Sequence, residues 1–327
     1  MRAALACIMG VMICSAWESS TARNFEIIVT PTIQSVSGYG KYVYDDYGLI
    51  TPSVLGYVKS ELNFPAGATY GGLTAGVHSR QKSQFDWSVS LSYSGNLGDP
   101  GSWMGDRDWT HPNGTAGWLF SYTVSTPKMW ARSWSLEAQA SIFKWRKLSL
   151  GLAGGFQSLR LKEDLFGAYG WQTGMVDRTD TVNINIDGYV GYYSVTWKVP
   201  YGGICAEARP VDSWHTNLLL ASGPAFVSDK DIHALRARVG TASGNGRGFI
   251  ARLSSSYELG NQRSKVVPLV GFTAAWYSFS VKGSQSLTWW LDDPSTPLDE
   301  TKNPVDGVPH EMTTQQFHLG VNLGVRF

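Results

Sequence analysis

Apolar and polar residues alternate with a period of two along much of the chain. In the clearest segment every second residue is apolar: Phe317, Leu319, Val321, Leu323, Val325 and Phe327. Segments 85–93, 134–142 and 182–186 show the same alternation. Because successive side chains of an extended backbone point to opposite faces, this pattern predicts β-strands with one apolar face.

The lengths of the segments and of their connections favour a membrane barrel. A soluble β-sandwich would also alternate, with its apolar face turned inward. Strands of about ten residues joined alternately by short and long connections are typical of transmembrane barrels. Short connections are predicted at 145–147, 209–213 and 259–265, and long ones at 99–131, 162–180 and 282–314. We predict an all-β fold, a ten-stranded antiparallel transmembrane β-barrel with long extracellular loops.

The ten strands are predicted to start near Phe25, Pro52, Phe85, Ala131, Leu148, Val182, Trp214, Phe249, Val266 and Gln315. In the second strand, Pro65 and Gly67 predict a bend. An even number of strands places both termini on the same side of the membrane. The third and seventh strands then run in the same direction, and the residues that follow them emerge at one external end.

The N-terminal segment has the features of an export signal. Arg2 precedes an apolar run at 3–16, and a small residue, Ala22, ends the segment. The run is too short to span a bilayer. We predict a signal peptide at residues 1–22 and an outer-membrane barrel domain at residues 23–327.

The composition agrees with such a barrel and argues against one class of partner. Aromatic residues make up 13% of the chain and charged residues 16%, with 36 glycines. This balance fits a β-protein with aromatic girdles at the membrane surfaces. The formal net charge of +1 gives no overall field that would attract nucleic acid, and we expect no nucleic-acid partner.

Two short acidic clusters are the candidate chemistry. In extended backbone Asp106 and Asp108 share one face, and Asp229, Asp231 and His233 share another. Ten strands spaced ~4.8 Å apart and tilted by about 40° enclose a diameter of roughly 20 Å. If the barrel is flattened, the two clusters meet across the lumen and can hold and activate a water molecule.

Other interpretations of these residues remain open. Asp106 and Asp108 could be solvated loop acids, or could bind divalent cations. No His-x-x-x-His or cysteine pairing supports zinc, and we predict no metal site. The remaining histidines have no evident partner and are expected to be loop or lumen residues: His78, His111, His215, His310 and His318.

The two clusters resemble motifs of the omptins, outer-membrane proteases of Gram-negative bacteria built as ten-stranded barrels. Residues 97–109, which contain Asp106-Arg107-Asp108-Trp109, are similar to the glycine-rich approach and Asp-x-Asp-Trp motif of that family. Residues 227–233 are similar to its Asp-x-Asp-x-His motif, and residues 197–201 to its aromatic-Lys-x-Pro-Tyr segment. The resemblance implies a monomer in the cell outer membrane whose active site faces outside and acts on peptides or proteins.

The resemblance also implies a role for each residue of an aspartic-type endopeptidase. His233 would be the general base, oriented by Asp231, and Asp106 and Asp108 would hold the nucleophilic water. Neither a covalent intermediate nor a metal is implied. Asp229 matches the acid that lines the family's pocket for a basic side chain, which implies cleavage after Arg or Lys.

The chain departs from the family at two places. Omptins have a second pocket acid near the end of the first strand, whereas segment 37–44 contains none. They also require lipopolysaccharide, bound by basic and aromatic residues on the outer wall. Arg160 matches one of these residues and Arg247 supplies a further cation, whereas Thr196 stands where the family has Arg. Lipopolysaccharide is therefore an expected partner, and no other cofactor is expected.

Two classes of function follow from this sequence. The first is an omptin-like endopeptidase. The second is a non-catalytic outer-membrane barrel, such as a porin, an adhesin or a degenerate omptin relative. Polar residues expected to line the lumen predict a plugged interior rather than an open channel: Glu137, Gln139, Asn183, Asp187, Asn322 and Arg326.

Overall fold

The described residues form one antiparallel β-sheet that closes on itself. The computed structural model describes residues 25–51, 54–79, 86–112, 117–175, 178–260, 264–291, 300–302 and 304–327. The signal peptide predicted at residues 1–22 lies outside them. Within these ranges the helical elements are short 3-10 turns at Ala234–Arg236 and Glu300–Lys302, and no helix is long and apolar enough to cross a membrane.

Twelve strand segments build the sheet. They are β1 (Phe25–Thr51), β2 (Val54–Pro65), β3 (Ala68–Ser79), β4 (Trp87–Asn96), β5 (Met104–Pro112), β6 (Trp118–Trp145), β7 (Leu148–Gln172), β8 (Val182–Ala208), β9 (Trp214–His233), β10 (Arg238–Glu258), β11 (Val267–Trp289) and β12 (Val305–Arg326). The segments β2 and β3 both pair with β1, and β4 and β5 both pair with β6, so each pair acts as one interrupted strand. Because β12 also pairs with β1, the sheet is a ring of ten antiparallel strands, and the predicted fold is confirmed.

The interruption of the second strand falls at the predicted bend, beside Pro65. Ala66 lies between β2 and β3, and its backbone N–H donates to the carbonyl of Gly38 at 3.1 Å. Gly38 has a φ of 144°, and a Cβ there would lie 2.1 Å from the carbonyl oxygen of Gln315. Only glycine therefore fits where the first strand passes between its two neighbours.

The bounds predicted for the long loops are wrong, because the strands continue through much of them. The strands expected to start at Ala131, Phe249 and Gln315 begin at Trp118, Arg238 and Val305. Strand β5 lies wholly within the predicted loop at 99–131, and β7 continues to Gln172. These extensions lie beyond the lipid-facing part of the barrel, where no apolar outer face is needed and regular alternation disappears.

An apolar belt surrounds the barrel on its outer face. Its exposed side chains include Leu91, Leu136, Leu152, Ile204, Leu220, Phe272 and Leu319. Beyond this belt, at the end of the barrel away from the chain termini, the outward residues become polar, as at Lys230 on β9 and Gln315 on β12. A continuous apolar band of this kind is the surface that contacts lipid in transmembrane barrels.

Side chains from opposite walls fill the lumen. The rings of Phe64 on β2 and Tyr193 on β8 stack with centroids 3.7 Å apart, although these strands are not neighbours. The rings of Trp197 on β8 and Phe279 on β11 lie 5.8 Å apart. Over the described residues side chains therefore fill the interior, and the barrel is flattened enough for its walls to touch. Two of the predicted lumen residues, Asn183 and Asp187, are instead exposed, because Ile184 and Ile186 take the inward face of this part of β8.

Arg326 fixes the seam at which the ring closes. This residue is 5% exposed. Its guanidinium donates to Glu26 on β1, at 2.8 Å, and to Glu258 on β10, at 3.0 Å. Next to it, the backbone N–H of Phe327 donates to the carbonyl of Ile27, at 2.9 Å. The end of the chain is thereby bound to its first strand.

Replacing Glu137 with alanine should destabilise the barrel, because it would remove the carboxylate that pairs with Arg252 across the lumen. Glu137 is 4% exposed and also accepts a hydrogen bond from the Tyr201 hydroxyl at 2.7 Å. Removing one partner of a fully buried ion pair costs about 3–5 kcal/mol, and the partial exposure of Arg252 favours the lower end. Urea unfolding in detergent micelles measures the loss, which should be smaller for Glu137→Gln. An unchanged free energy of unfolding for Glu137→Ala would contradict this role.

Candidate active site

The second acidic cluster lies at the end of β9, and its side chains face the lumen as the alternation predicts. Asp229 is 8% exposed and Asp231 3%, whereas Lys230 between them is exposed on the outside. His233 is the last residue of β9, and its Nε2 lies 2.9 Å from Oδ2 of Asp231. The imidazole remains partly open to solvent, with 18% of its side chain exposed.

The Asp231–His233 pair has the composition of an oriented general base. A carboxylate beside an imidazole stabilises the charged form that arises when the ring accepts a proton. The carboxylate oxygen lies against the Nε2 side of the ring. Because Asp231 is buried and His233 reaches solvent, the imidazole can meet water or a substrate while its partner stays shielded.

The first acidic cluster lies within strand β5. Asp106 pairs in register with Leu62 of β2, and Asp108 with Ser60. Leu62 and Ser60 are 1% and 2% exposed, so the neighbouring carboxylates face the lumen as well. Arg107 points to the outside as predicted, where it stacks over the Tyr122 ring and approaches Glu61 at 3.6 Å. Asp108 itself is 2% exposed.

The walls that carry the two clusters contact each other. One register row runs across four adjacent strands and consists of Asp108, Ser60, Tyr44 and His310. From this row His310 reaches across to Asp229, with Nε2 and Oδ2 3.6 Å apart. Arg238 on β10 donates to the Tyr44 hydroxyl at 3.3 Å. The structure thus joins the wall of β1 and β12 to the wall of β9 and β10 through His310 and Tyr44.

Burial sets the protonation of the groups between the walls. Burial, with the nearby Asp231, raises the pKa of Asp229 to about 8. Burial lowers the pKa of His310 to about 4, although Asp231 acts in the opposite direction. Burial also raises the pKa values of Tyr42 and Tyr193 well above the usual range for tyrosine. The nearby carboxyl groups of Asp229 and Asp231 raise them further. At neutral pH these shifts favour the uncharged forms of Asp229, His310, Tyr42 and Tyr193.

Four residues of this site escaped the sequence analysis: Tyr42, Tyr44, Arg238 and His310. The expectation that His310 has no partner is wrong, since its ring meets that of Tyr42 edge to face and its Nε2 lies 3.6 Å from Oδ2 of Asp229. The same holds for His215, which lies 3.7 Å from Glu207 and 3.5 Å from Glu258 at the other end of the barrel. The available signal was the two-residue period of a β-strand. Tyr42 and Tyr44 are two residues apart and therefore share one face of β1, and His310 lies at an inward-facing position of β12.

The two candidate lipopolysaccharide residues do not lie together. Arg160 is exposed on β7, where it joins Arg132 and Lys162 around the ring of Trp130, at 5.9, 4.1 and 5.4 Å from the ring centroid. Arg247 is exposed on β10, three strands away around the ring. The first group is a cationic and aromatic surface, and lipopolysaccharide binding stays a prediction.

In the part of the chain that the structure describes, no group of three or more His, Cys, Asp or Glu side chains is placed to hold a metal ion. The site therefore consists of carboxylates, imidazoles and phenols at one end of a plugged barrel. This fold and site define a membrane-spanning β-barrel with an acid–imidazole cluster beyond its lipid-facing belt.

Residues 74–283 match the family model described as the Omptin family. Because the match spans more than half of the chain, the protein belongs to the omptin family. Both acidic clusters fall inside the matched segment. Tyr42 and His310, which contact each other beside Asp229, fall outside it.

Comparison with solved structures supports the fold. The outer membrane protease OmpT from Escherichia coli matches with a TM-score of 0.69 and 16% identity, over 94% of this chain and 99% of that one. The outer membrane protein OprG from Pseudomonas aeruginosa matches with a TM-score of 0.34 and 9% identity, over 92% and 95% of the two chains. The second likeness is too weak to support any argument. Comparison with curated protein sequences found no significant match.

Proposed function

We propose that this protein is an outer-membrane endopeptidase that hydrolyses peptide bonds with a water molecule activated by His233. The observation that carries the proposal is the 2.9 Å pair of His233 with the buried Asp231 in a chain of the omptin family. Such a pair supplies a general base whose conjugate acid is stabilised where it forms.

The reaction proceeds without a covalent intermediate. The neutral imidazole of His233 removes a proton from water as the water oxygen attacks the peptide carbonyl. Asp231 stabilises the resulting imidazolium, which then gives its proton to the departing amine. Asp106 and Asp108 hold the attacking water from the facing wall.

The substrate pocket is proposed to include Asp229, the acid that precedes this pair on the same face of β9. An accessible carboxylate at this position would favour Arg or Lys before the cut bond. In the structure the imidazole of His310 lies against this carboxyl group.

The site is proposed to face the outside of the cell. It lies at the end of the barrel opposite the chain termini, which an exported barrel with an even number of strands keeps on the periplasmic side. The exposed Arg160 and the half-buried Arg132 and Lys162 lie beside Trp130. They are suited to the phosphates of lipopolysaccharide, because cationic side chains recognise phosphate strongly. We propose that the monomer binds this lipid on its outer wall.

A porin function has less support. The contact between Phe64 and Tyr193 and the pairing of Glu137 with Arg252 cross the lumen at different depths. These contacts leave no reason to assign passage of solutes through the barrel.

The deciding experiment uses the mature chain, residues 23–327, refolded in detergent with lipopolysaccharide. Internally quenched peptides of mixed sequence are incubated with it, and products are identified by mass spectrometry. Cleavage that is absent from an equally folded His233→Ala preparation supports the proposal. A folded barrel that cleaves none of the peptides would overturn it.

Activity should survive chelation and decline on acidification. Excess EDTA should leave the rate unchanged when lipopolysaccharide is supplied in detergent, because His233 and Asp231 need no metal to activate water. The rate should fall as the pH is lowered from about 7 to about 5, because a protonated imidazole cannot accept a proton. Initial rates of peptide cleavage measure both effects. Loss of activity that only zinc restores would mean that a metal-bound hydroxide performs the attack.

A further inference from the structure

The carboxyl group of Asp229 is closed to a substrate side chain, and His310 closes it. The side chains of Asp229 and His310 are each 1% exposed, and Oδ2 lies 3.6 Å from Nε2. Both carboxyl oxygens of Asp229 and the Nε2 of His310 are buried. The imidazole therefore stands where an incoming cationic group would have to approach the acid.

An aromatic wall holds His310 in this position. The ring of Tyr42 meets the His310 ring edge to face, with centroids 4.6 Å apart and planes at 64°. Tyr42 in turn lies 6.2 Å from Tyr193, which stacks on Phe64. Tyr42 and Phe64 are each 1% exposed, and Tyr193 2%. His310 is thus packed into the core of the barrel rather than resting on its surface.

The charge balance also disfavours a basic side chain. A carboxylic acid beside a neutral imidazole has no net charge, and neither has a carboxylate beside an imidazolium. Burial raises the pKa of Asp229 and lowers that of His310, and so favours the first of these arrangements at neutral pH. The pair then offers no negative charge to a guanidinium or ammonium group. Arg238 adds a positive charge near the same wall, where its guanidinium lies over the Tyr44 ring at 5.5 Å.

The surroundings of the pair suit an uncharged residue. Tyr42 lies in segment 37–44, where the omptin resemblance calls for a second acid, and it faces this pocket. A small cavity next to Tyr193 is lined mainly by apolar side chains, including Leu159, Val195, Trp197 and Met312. Beside Asp229 the site thus presents the imidazole of His310 and the phenol ring of Tyr42, and the separate cavity next to Tyr193 adds apolar surface nearby.

We propose that His310 is a specificity-determining residue, which occupies the Asp229 pocket and directs cleavage to bonds that follow uncharged residues. This inference rests on the proposed function and narrows its substrate class. It makes His310 the residue whose removal would expose a pocket for Arg or Lys.

The test compares four peptides that differ only in the residue before the cut bond: Arg, Lys, Gln or Ala. For the unaltered protein, kcat/KM for the Gln and Ala peptides should exceed that for the Arg and Lys peptides by about tenfold or more. His310→Ala should raise kcat/KM for the Arg and Lys peptides by about tenfold or more. Adding Asp229→Asn to His310→Ala should abolish that gain, because the exposed carboxylate is then absent.

His318→Ala is the matched control. His318 is a second buried histidine on β12, 7% exposed and 3.1 Å from Gln316, away from Asp229. Its replacement should leave the order of the four peptides unchanged. If His310→Ala does not reach the folded form on a heat-modifiability gel, His310→Ser replaces it in all comparisons. A preference of the unaltered protein for Arg or Lys, or an unchanged preference in the His310 variant, would overturn the inference.

A binding measurement separates this inference from the proposed function. If the unaltered barrel cleaves no peptide, the proposed function fails, and binding of N-acetyl-arginine amide is then measured by calorimetry. The His310→Ala barrel should bind this probe and the unaltered barrel should not. Equal binding by the two proteins, including binding by neither, would show that His310 does not control access to Asp229.

Discussion

Replacing His233 with alanine should lower kcat/KM for peptide cleavage by about 10²–10⁴, the usual contribution of a positioned general base. Asp231→Asn should cause a comparable loss, because an amide cannot stabilise the imidazolium and favours the wrong ring tautomer. Residues that act as one unit do not contribute independently. The double variant should therefore be little slower than either single variant.

The control for these variants is His111→Ala. His111 is exposed on the outer face of β5, with its ring 5.5 Å from that of Tyr57, and takes no part in the proposed chemistry. It should retain full activity. Folding of every variant is checked by the heat-dependent gel shift of barrels, so that a loss of rate is not a loss of structure. Full activity in His233→Ala, or losses that multiply in the double variant, would contradict the assigned pair.

The combined replacement of Asp106 and Asp108 by asparagine should lower kcat/KM by about 10²–10³, the range for removing a preorganised polar contact to the reacting atoms. Asparagine keeps the size of each side chain but removes the negative charge that orients the water. The measurement is peptide cleavage at saturating lipopolysaccharide. Asp164→Asn, at an exposed site on β7, is the control and should have no effect. An unchanged kcat/KM in the double variant would show that Asp106 and Asp108 do not take part in the reaction.

The sequence predicted the lipid-facing strands well, for a physical reason. A strand in the bilayer must place an apolar side chain outward at every second position, as at Leu319, Val321 and Leu323. Beyond the belt this demand disappears, and the outer face of β6 carries residues such as Thr126 and Lys128. Because the start of β6 and the whole of β5 lack this alternation, the sequence predicted a loop there.

The candidate site was predictable only where its residues are close together in the sequence. Asp229, Asp231 and His233 are spaced two residues apart, and strand geometry alone places side chains with this spacing on one face. The approach of His310 to Asp229 depends on how far the barrel is flattened and on which side chains fill the lumen. Neither property follows from local pattern, so a histidine with no evident partner in the sequence became part of the site in three dimensions.

The ion pairs at Arg326 have a consequence for how the barrel is assembled. The last strand must pair with the first before the guanidinium of Arg326 can reach Glu26, since these two residues lie on β12 and β1. In an open sheet Arg326 could still pair with Glu258 on β10, but Glu26 on β1 would lack its cationic partner. Closure of the ring therefore completes this ion-pair network, and a sheet whose last strand has not yet paired with its first lacks the bond between Arg326 and Glu26.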